Sequence, residues 1–272
     1  MAMPEAARSS DSVPPLAIVT GASSGMGRSI ALELARRGWA TLLIARRTAL
    51  LEALASELRA SAPSAILTMD LCETGAIVDT VRGFLAANGL VPRALFNNAG
   101  FGFYGPFLEQ PTDLHERLWR VNYLAAVEMT RAVLPGMLER RKGHVINTAS
   151  MSTKVGPWGH AGYAASKAAL VSVTQGLAAE HPARASGVHF SFVNPGIVRT
   201  SYFEASSFAP LWKRVAKRAI APERVARAAV NLLERPRLQV CVPWYYRAID
   251  AIDAVSPALA HRIVAAESRP LP

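Results

Sequence analysis

Tyr163 and Lys167 stand four residues apart in the segment GYAASKAALVSV. On a helix that spacing sets both side chains on one face. An ammonium beside a phenol favours the phenolate and lowers the tyrosine pKa toward a value useful for proton transfer. The pattern is common by itself, so its surroundings decide. Ser150 lies thirteen residues before Tyr163, and its hydroxyl can hydrogen-bond a carbonyl oxygen. Asn122 interrupts the apolar stretch WRVNYLAA, where an amide needs a hydrogen-bonding reason: service to the site or repair of a bent helix. Ser150, Tyr163, Lys167 and Asn122 are the candidate proton-transfer set.

A second cluster lies near the start. Thr20-Gly21-Ala22-Ser23-Ser24-Gly25-Met26-Gly27 falls between a strand-like and a helix-like segment. Glycines there let the backbone turn tightly and approach a pyrophosphate, and the helix that follows offers unpaired N–H groups to the anion. Gly21, Ser23, Ser24, Gly25, Met26 and Gly27 are therefore candidate cofactor contacts. The next strand ends in Arg46-Arg47, with no acid before Glu52. A guanidinium suits a 2′-phosphate that a carboxylate would repel, so NADP(H) is expected, with Arg46 the first choice and Arg47 the second. Asp70, followed by Leu71, can accept from an adenine amino group or cap a helix near Thr74. Asn98, Ala99 and Gly100 close the fourth strand with small residues and an amide beside the nucleoside, or form an asparagine-stabilised turn.

These side chains must be held by a scaffold, and its elements are readable. LAIVT, WATLLIA, AILTMD, ALFNNAG, HVINTAS, VHFSFVNPG and LQVCVP read as strands, apolar throughout as buried parallel strands are. Between them, Met26 to Arg37, Thr48 to Ala60, Ile77 to Ala87, Leu114 to Arg141 and Ala161 to Glu180 read as helices. Such alternation predicts an α/β fold: a doubly wound parallel sheet, Rossmann-like, with helices on both faces. Residues 1–15 read as a disordered leader and 16–272 as one domain. Within it, 201–221 read as a lid and 244–266 as a helical extension interrupted near Ser256-Pro257.

Composition narrows the classes. The chain has 272 residues, 51% of them hydrophobic and 18% charged, enough apolar content for a sizeable core. Thirty basic residues against twenty acidic ones give a net charge of +10, yet no nucleic-acid recognition motif accompanies it. No stretch approaches the roughly 20 apolar residues that span a bilayer. Cys72 and Cys241 form no pair motif and no His/Cys/Asp cluster has metal-ligand spacing, so no metal is expected and a reducing cytoplasm is the expected compartment.

In order, TGASSGMG, NNAG, Asn122, Ser150, YAASK and Pro195-Gly196 followed by Thr200 resemble the short-chain dehydrogenase/reductase family. The resemblance runs from about Leu16 to Thr200 and more loosely to the last strand. It implies an oxidoreductase in which Tyr163 is the general acid in reduction and the base in oxidation. Lys167 would also hold the nicotinamide ribose, Ser150 would orient the substrate oxygen, and Asn122 would hold a water linking the lysine to solvent. Ile197 and Thr200 would contact the carboxamide end of the cofactor, and Pro195 and Gly196 are further cofactor contacts. A homodimer or homotetramer is implied through the helices carrying Asn122 and Tyr163, although the residues from Trp244 onward depart from the family's usual ending.

Aromatics in three variable stretches predict an apolar or aromatic carbonyl or alcohol as substrate: Phe101 and Phe103, then Trp158, then Tyr202, Phe203 and Phe208. Lys213, Arg214, Lys217 and Arg218 read first as a solvated charged face. They could also receive an acyl-carrier or coenzyme A handle, making the chain a 3-oxoacyl thioester reductase, or meet anionic lipid beside the WYY sequence. A protein that senses NADP without turnover is the non-enzymatic alternative, against which the complete set of four residues argues.

Overall fold

A computed structural model of the chain describes residues 13–200 and 206–269. Most of the expected leader, together with Tyr202 and Phe203, lies outside the described residues. Seven strands form one sheet: β1 (Leu16–Thr20), β2 (Ala40–Ala45), β3 (Ser64–Thr68), β4 (Pro92–Asn97), β5 (Gly143–Thr148), β6 (Val188–Pro195) and β7 (Gln239–Val242). Every pairing is parallel and the order is β3-β2-β1-β4-β5-β6-β7.

The order reverses at β1, whose Val19 pairs Leu43 of β2 on one side and Phe96 of β4 on the other. Helices following β1 and β4 must therefore leave in opposite directions, opening a crevice at the carboxyl ends of these strands. Helices α1 (Gly25–Arg36), α2 (Thr48–Leu58), α3 (Ile77–Ala87), α4 (Leu114–Trp119), α5 (Ala125–Glu139) and α6 (Ala161–Glu180) account for the five helices read from sequence. A helical turn α7 (Ala183–Ser186) and helices α8 (Ala209–Val215), α9 (Pro222–Asn231), α10 (Arg247–Val255) and α11 (Pro257–Ser268) complete the order.

Two apolar cores flank the sheet, as both-face burial requires. On one side Ile30, Leu34, Leu51 and Val230 pack against Val19, Leu43 and Phe96. On the other, Ile77, Val81, Met129 and Val133 pack against Ile18, Leu42 and Leu95. The segment read as one helix from Leu114 is divided: residues Arg120–Leu124 form a widened π turn between α4 and α5. Asn122, buried in that turn, supplies the cause, because its amide reaches inward to the backbone of Phe101.

Candidate active site

Ser150 follows β5 and begins the short 3-10 turn Met151–Thr153, its Oγ accepting from Ser152 N at 3.1 Å and hydrogen-bonded to Ser152 Oγ at 3.0 Å. Tyr163 and Lys167 lie one turn apart on α6. All three line a cavity of about 920 Å³ at the carboxyl ends of the strands. Lys167 is 2% exposed, and its Nζ donates to Thr148 O at 2.8 Å. Burial lowers its pKa to about 8.

Asn122 stands behind this group as a brace. Its Oδ1 accepts from Phe101 N at 3.0 Å, and its Nδ2 donates to Phe101 O and to Ser166 Oγ, each at 3.0 Å. Ser166 Oγ in turn donates to Tyr163 O at 2.7 Å. The amide thus ties the loop after β4 to α6. A Cβ on Gly100 would come within 3.0 Å of Asn122 Oδ1 and 3.1 Å of Lys167 Nζ, so any larger residue would crowd these two groups.

The floor of the crevice is the glycine turn. Thr20 Oγ1 accepts from Asn98 N and Ala99 N at 3.0 Å each, locking the end of β1 to the end of β4. Gly21 has φ +67°, and a Cβ there would lie 2.9 Å from Ala99 Cα; on Gly27 it would lie 2.2 Å from Gly21 O. Both positions need the absence of a side chain. Met26, Asn98, Gly100, Pro195, Gly196, Ile197 and Thr200 line the cavity, joining the early and late expected cofactor contacts. Thr200 also packs beside Gly25.

At the far end of the turn, Arg47 rather than Arg46 reaches the serines. Arg47 Nη2 donates to Ser23 Oγ at 2.9 Å and to Ser24 Oγ at 2.8 Å. Arg46 points the other way, 3.7 Å from Asp70 and 71% exposed. The structure thus brings Arg47, the second of the two expected, to the glycine turn. Asp70 Oδ1 accepts from Cys72 N at 2.9 Å, the turn-capping role, and the Leu71 side chain is buried in the core under the sheet.

Among the described residues, the expected aromatic contacts lie outside the lining of this cavity. Tyr104 sits between Trp158, His160 and Phe208, with ring centroids 5.1, 5.3 and 6.3 Å away. Phe208 is buried in that cluster with Leu211 and Val215. Phe103 and Trp158 flank a separate cavity of about 250 Å³, and Phe101 lies under the Arg117 guanidinium at 5.4 Å. None of these four lines the larger cavity. Its apolar surface comes from Val155, Leu211, Val215, Ile249, Ile263 and Val264, so the helical extension covers the site. Contacts that fasten it include Tyr104 Oη donating to Ser268 O at 2.8 Å, Trp158 N donating to Ser268 Oγ at 2.8 Å, and an ion pair of Arg218 with Glu267. α10 and α11 break at Ser256, where the interruption was expected.

His160, just before α6, lines the cavity with its ring 6.0 Å from that of Tyr163. Burial lowers its pKa, opposed by its contact with Trp158 O. No motif marks it. His144 is a buried strand residue against Ser191 Oγ at 2.7 Å, its pKa lowered to about 3 by burial and then by His189. Among the described residues no cluster of His, Cys, Asp or Glu could hold a metal ion, and no helix is long and apolar enough to cross a membrane.

A doubly wound sheet with a glycine-turn crevice and a Ser-Tyr-Lys group at its mouth defines a nucleotide-binding oxidoreductase scaffold. The chain belongs to the short-chain dehydrogenase family, whose model, described as short chain dehydrogenase, matches residues 15–209. It is similar to the cattle protein dehydrogenase/reductase SDR family member 7B, 32% identical over 191 residues, which cover 68% of this chain and 58% of that one. Among solved structures, a short-chain dehydrogenase from Sphingobium yanoikuyae in complex with NADPH is 29% identical, with a TM-score of 0.78 over 90% of this chain and 94% of the other. A short-chain dehydrogenase/reductase from Burkholderia phymatum in complex with NAD is 24% identical, with a TM-score of 0.81 over 96% and 98%, a likeness of fold alone.

Proposed function

We propose that the chain is an NADP(H)-dependent oxidoreductase that interconverts a carbonyl and a secondary alcohol on a bulky apolar substrate. The observation that carries this reading is the convergence of Ser150, Tyr163 and buried Lys167 on one cavity that Met26, Asn98 and Gly100 also line. The residues present fit a dinucleotide: Gly21 and Gly27 leave no room for side chains, and Arg47 with Ser23 and Ser24 offers a cationic cradle for a phosphate. The NADPH bound by the Sphingobium relative supports the same choice.

When bound, the reduced nicotinamide supplies a hydride to the carbonyl carbon. Ser150 Oγ donates a hydrogen bond to the substrate oxygen and fixes its direction. Tyr163 Oη gives that oxygen its proton, and in oxidation the phenolate takes it back. Lys167, still mostly protonated at neutral pH with a pKa of about 8, stabilises the phenolate that forms. Asn122 positions this group through Phe101 and Ser166. The walls of Val155, Leu211, Val215, Ile249 and Ile263 favour an apolar body on the substrate.

The test is a panel of ketones and secondary alcohols followed through nicotinamide absorbance, with Tyr163→Phe as the control. Turnover of bulky apolar ketones that vanishes in the variant is expected. Turnover that survives the substitution would remove Tyr163 from the mechanism.

A further inference from the structure

The larger cavity is apolar inside, and the surface around its mouth is apolar too. Tyr245, Ala248 and Ile263 line the cavity while also being exposed. Further exposed apolar side chains follow on the closing helices, Trp244 at 75%, Val255 at 87% and Leu259 at 48%, with His261 and Arg262 exposed among them. α10 turns Ile249 and Ile252 inward, yet its outward side is poor in charge as well. Its outward side carries Ala248, Ala251, Ala254 and Val255, with Arg247 as the charged member. Its carboxylates, Asp250 and Asp253, are half-buried, and Asp250 accepts from Gln239 Nε2 at 3.1 Å.

Cations stand at the same mouth. Lys217 and Arg218 are exposed and line the cavity. Arg218 is paired with Glu267, whereas Lys217 has no ion-pair partner among the described residues.

We propose that the face formed by Trp244, Tyr245, α10 and α11 docks the protein on an anionic lipid surface, with the cavity mouth turned toward the acyl chains. Docking removes the exposed apolar side chains from water, and indole and phenol rings suit the headgroup level of a bilayer. Lys217 and Arg247 would meet anionic headgroups. A second copy of the chain is the poorer occupant. Placed against itself about a twofold axis, this face would bring its cations toward one another, and the partner would cover the mouth. An apolar substrate dissolved in lipid would reach the cavity without crossing water.

The experiment is flotation of the full chain with phosphatidylcholine vesicles, with and without phosphatidylglycerol, at low and high salt. The double variant Trp244→Ser/Val255→Ser and the single variant Lys217→Glu are compared with Leu108→Ser, an exposed apolar change elsewhere (Leu108 is 94% exposed). The chain is expected to float with phosphatidylglycerol vesicles and to be partly released by salt. The double variant should lose about tenfold in partitioning and Lys217→Glu a few-fold, with Leu108→Ser unchanged and circular dichroism the same throughout. No flotation on any vesicle would overturn the proposal, as would equal flotation of the double variant. Sedimentation showing a dimer that the double variant abolishes would assign the face to a second copy instead. None of these readouts depends on catalysis, so the docking face and the proposed reaction fail separately.

Discussion

Arg47→Ala separates the two candidate phosphate ligands. In the folded chain the Arg47 guanidinium already stands over the glycine turn, held by Ser23 and Ser24 at 2.9 and 2.8 Å. A 2′-phosphate placed there would gain charge-assisted hydrogen bonds, each worth about 1.5–3 kcal/mol, with the guanidinium already oriented. One such bond, discounted for the exposed setting, gives about 2 kcal/mol, or roughly thirtyfold in the dissociation constant of NADPH. Arg46 is 71% exposed and only 3.7 Å from Asp70, a pair of the kind worth at most about 1 kcal/mol. Arg46→Ala should therefore cost NADPH no more than about fivefold. NADH has no 2′-phosphate, so neither substitution should move its affinity by more than about twofold. Fluorescence titration of each variant with both nucleotides gives the four numbers needed. Equal weakening of NADPH and NADH by Arg47→Ala, or a larger NADPH loss from Arg46→Ala, would refute the assignment.

Three further outcomes follow from the same geometry. Tyr163→Phe should lower kcat by about 10²- to 10⁴-fold, with NADPH affinity held within about twofold by titration. Lys167 has a folded pKa of about 8 against 10.5 ordinarily, so its cation is costly in the native state. That cost is fully present below pH 8 and is lost as pH rises toward 10.5, so folding stability should rise across this window by up to about 3 kcal/mol. Urea unfolding of Lys167→Met should lack this rise, and stability curves that run parallel to the parent's would count against the shift. Gly27→Ala places a methyl 2.2 Å from Gly21 O, so the turn must open. A lowered melting temperature and lost NADPH binding are expected, read by thermal denaturation with and without nucleotide.

The sheet was legible because its signal is local. The inner strands are buried on both faces, so LAIVT and WATLLIA read as unbroken apolar runs, and β1 and β2 are found there at Leu16–Thr20 and Ala40–Ala45. Tyr163 and Lys167 were equally legible, since both partners sit within one turn of α6. Elsewhere the determinants lie far along the chain. The π turn at Asn122 has no periodic signature, because its cause is the backbone of Phe101, 21 residues earlier. Adjacent arginines look alike in sequence; which one meets the serines depends on how the chain leaves β2 and approaches Ser23, 24 residues before Arg47. Phe101, Phe103, Trp158 and Phe208 stand off the cavity because a ring's apolarity does not say whether it packs on a substrate or on another ring. Phe208 met Tyr104 and disappeared into the wall. The tail's apolar spacing was visible, but not what lay beneath it. That follows from Ser268, whose carbonyl receives Tyr104 Oη from 164 residues away and brings Val264 and Ile263 over the site. The chemistry of this cavity is therefore written in short motifs, whereas its shape is decided by contacts between the loop after β4 and the last helix.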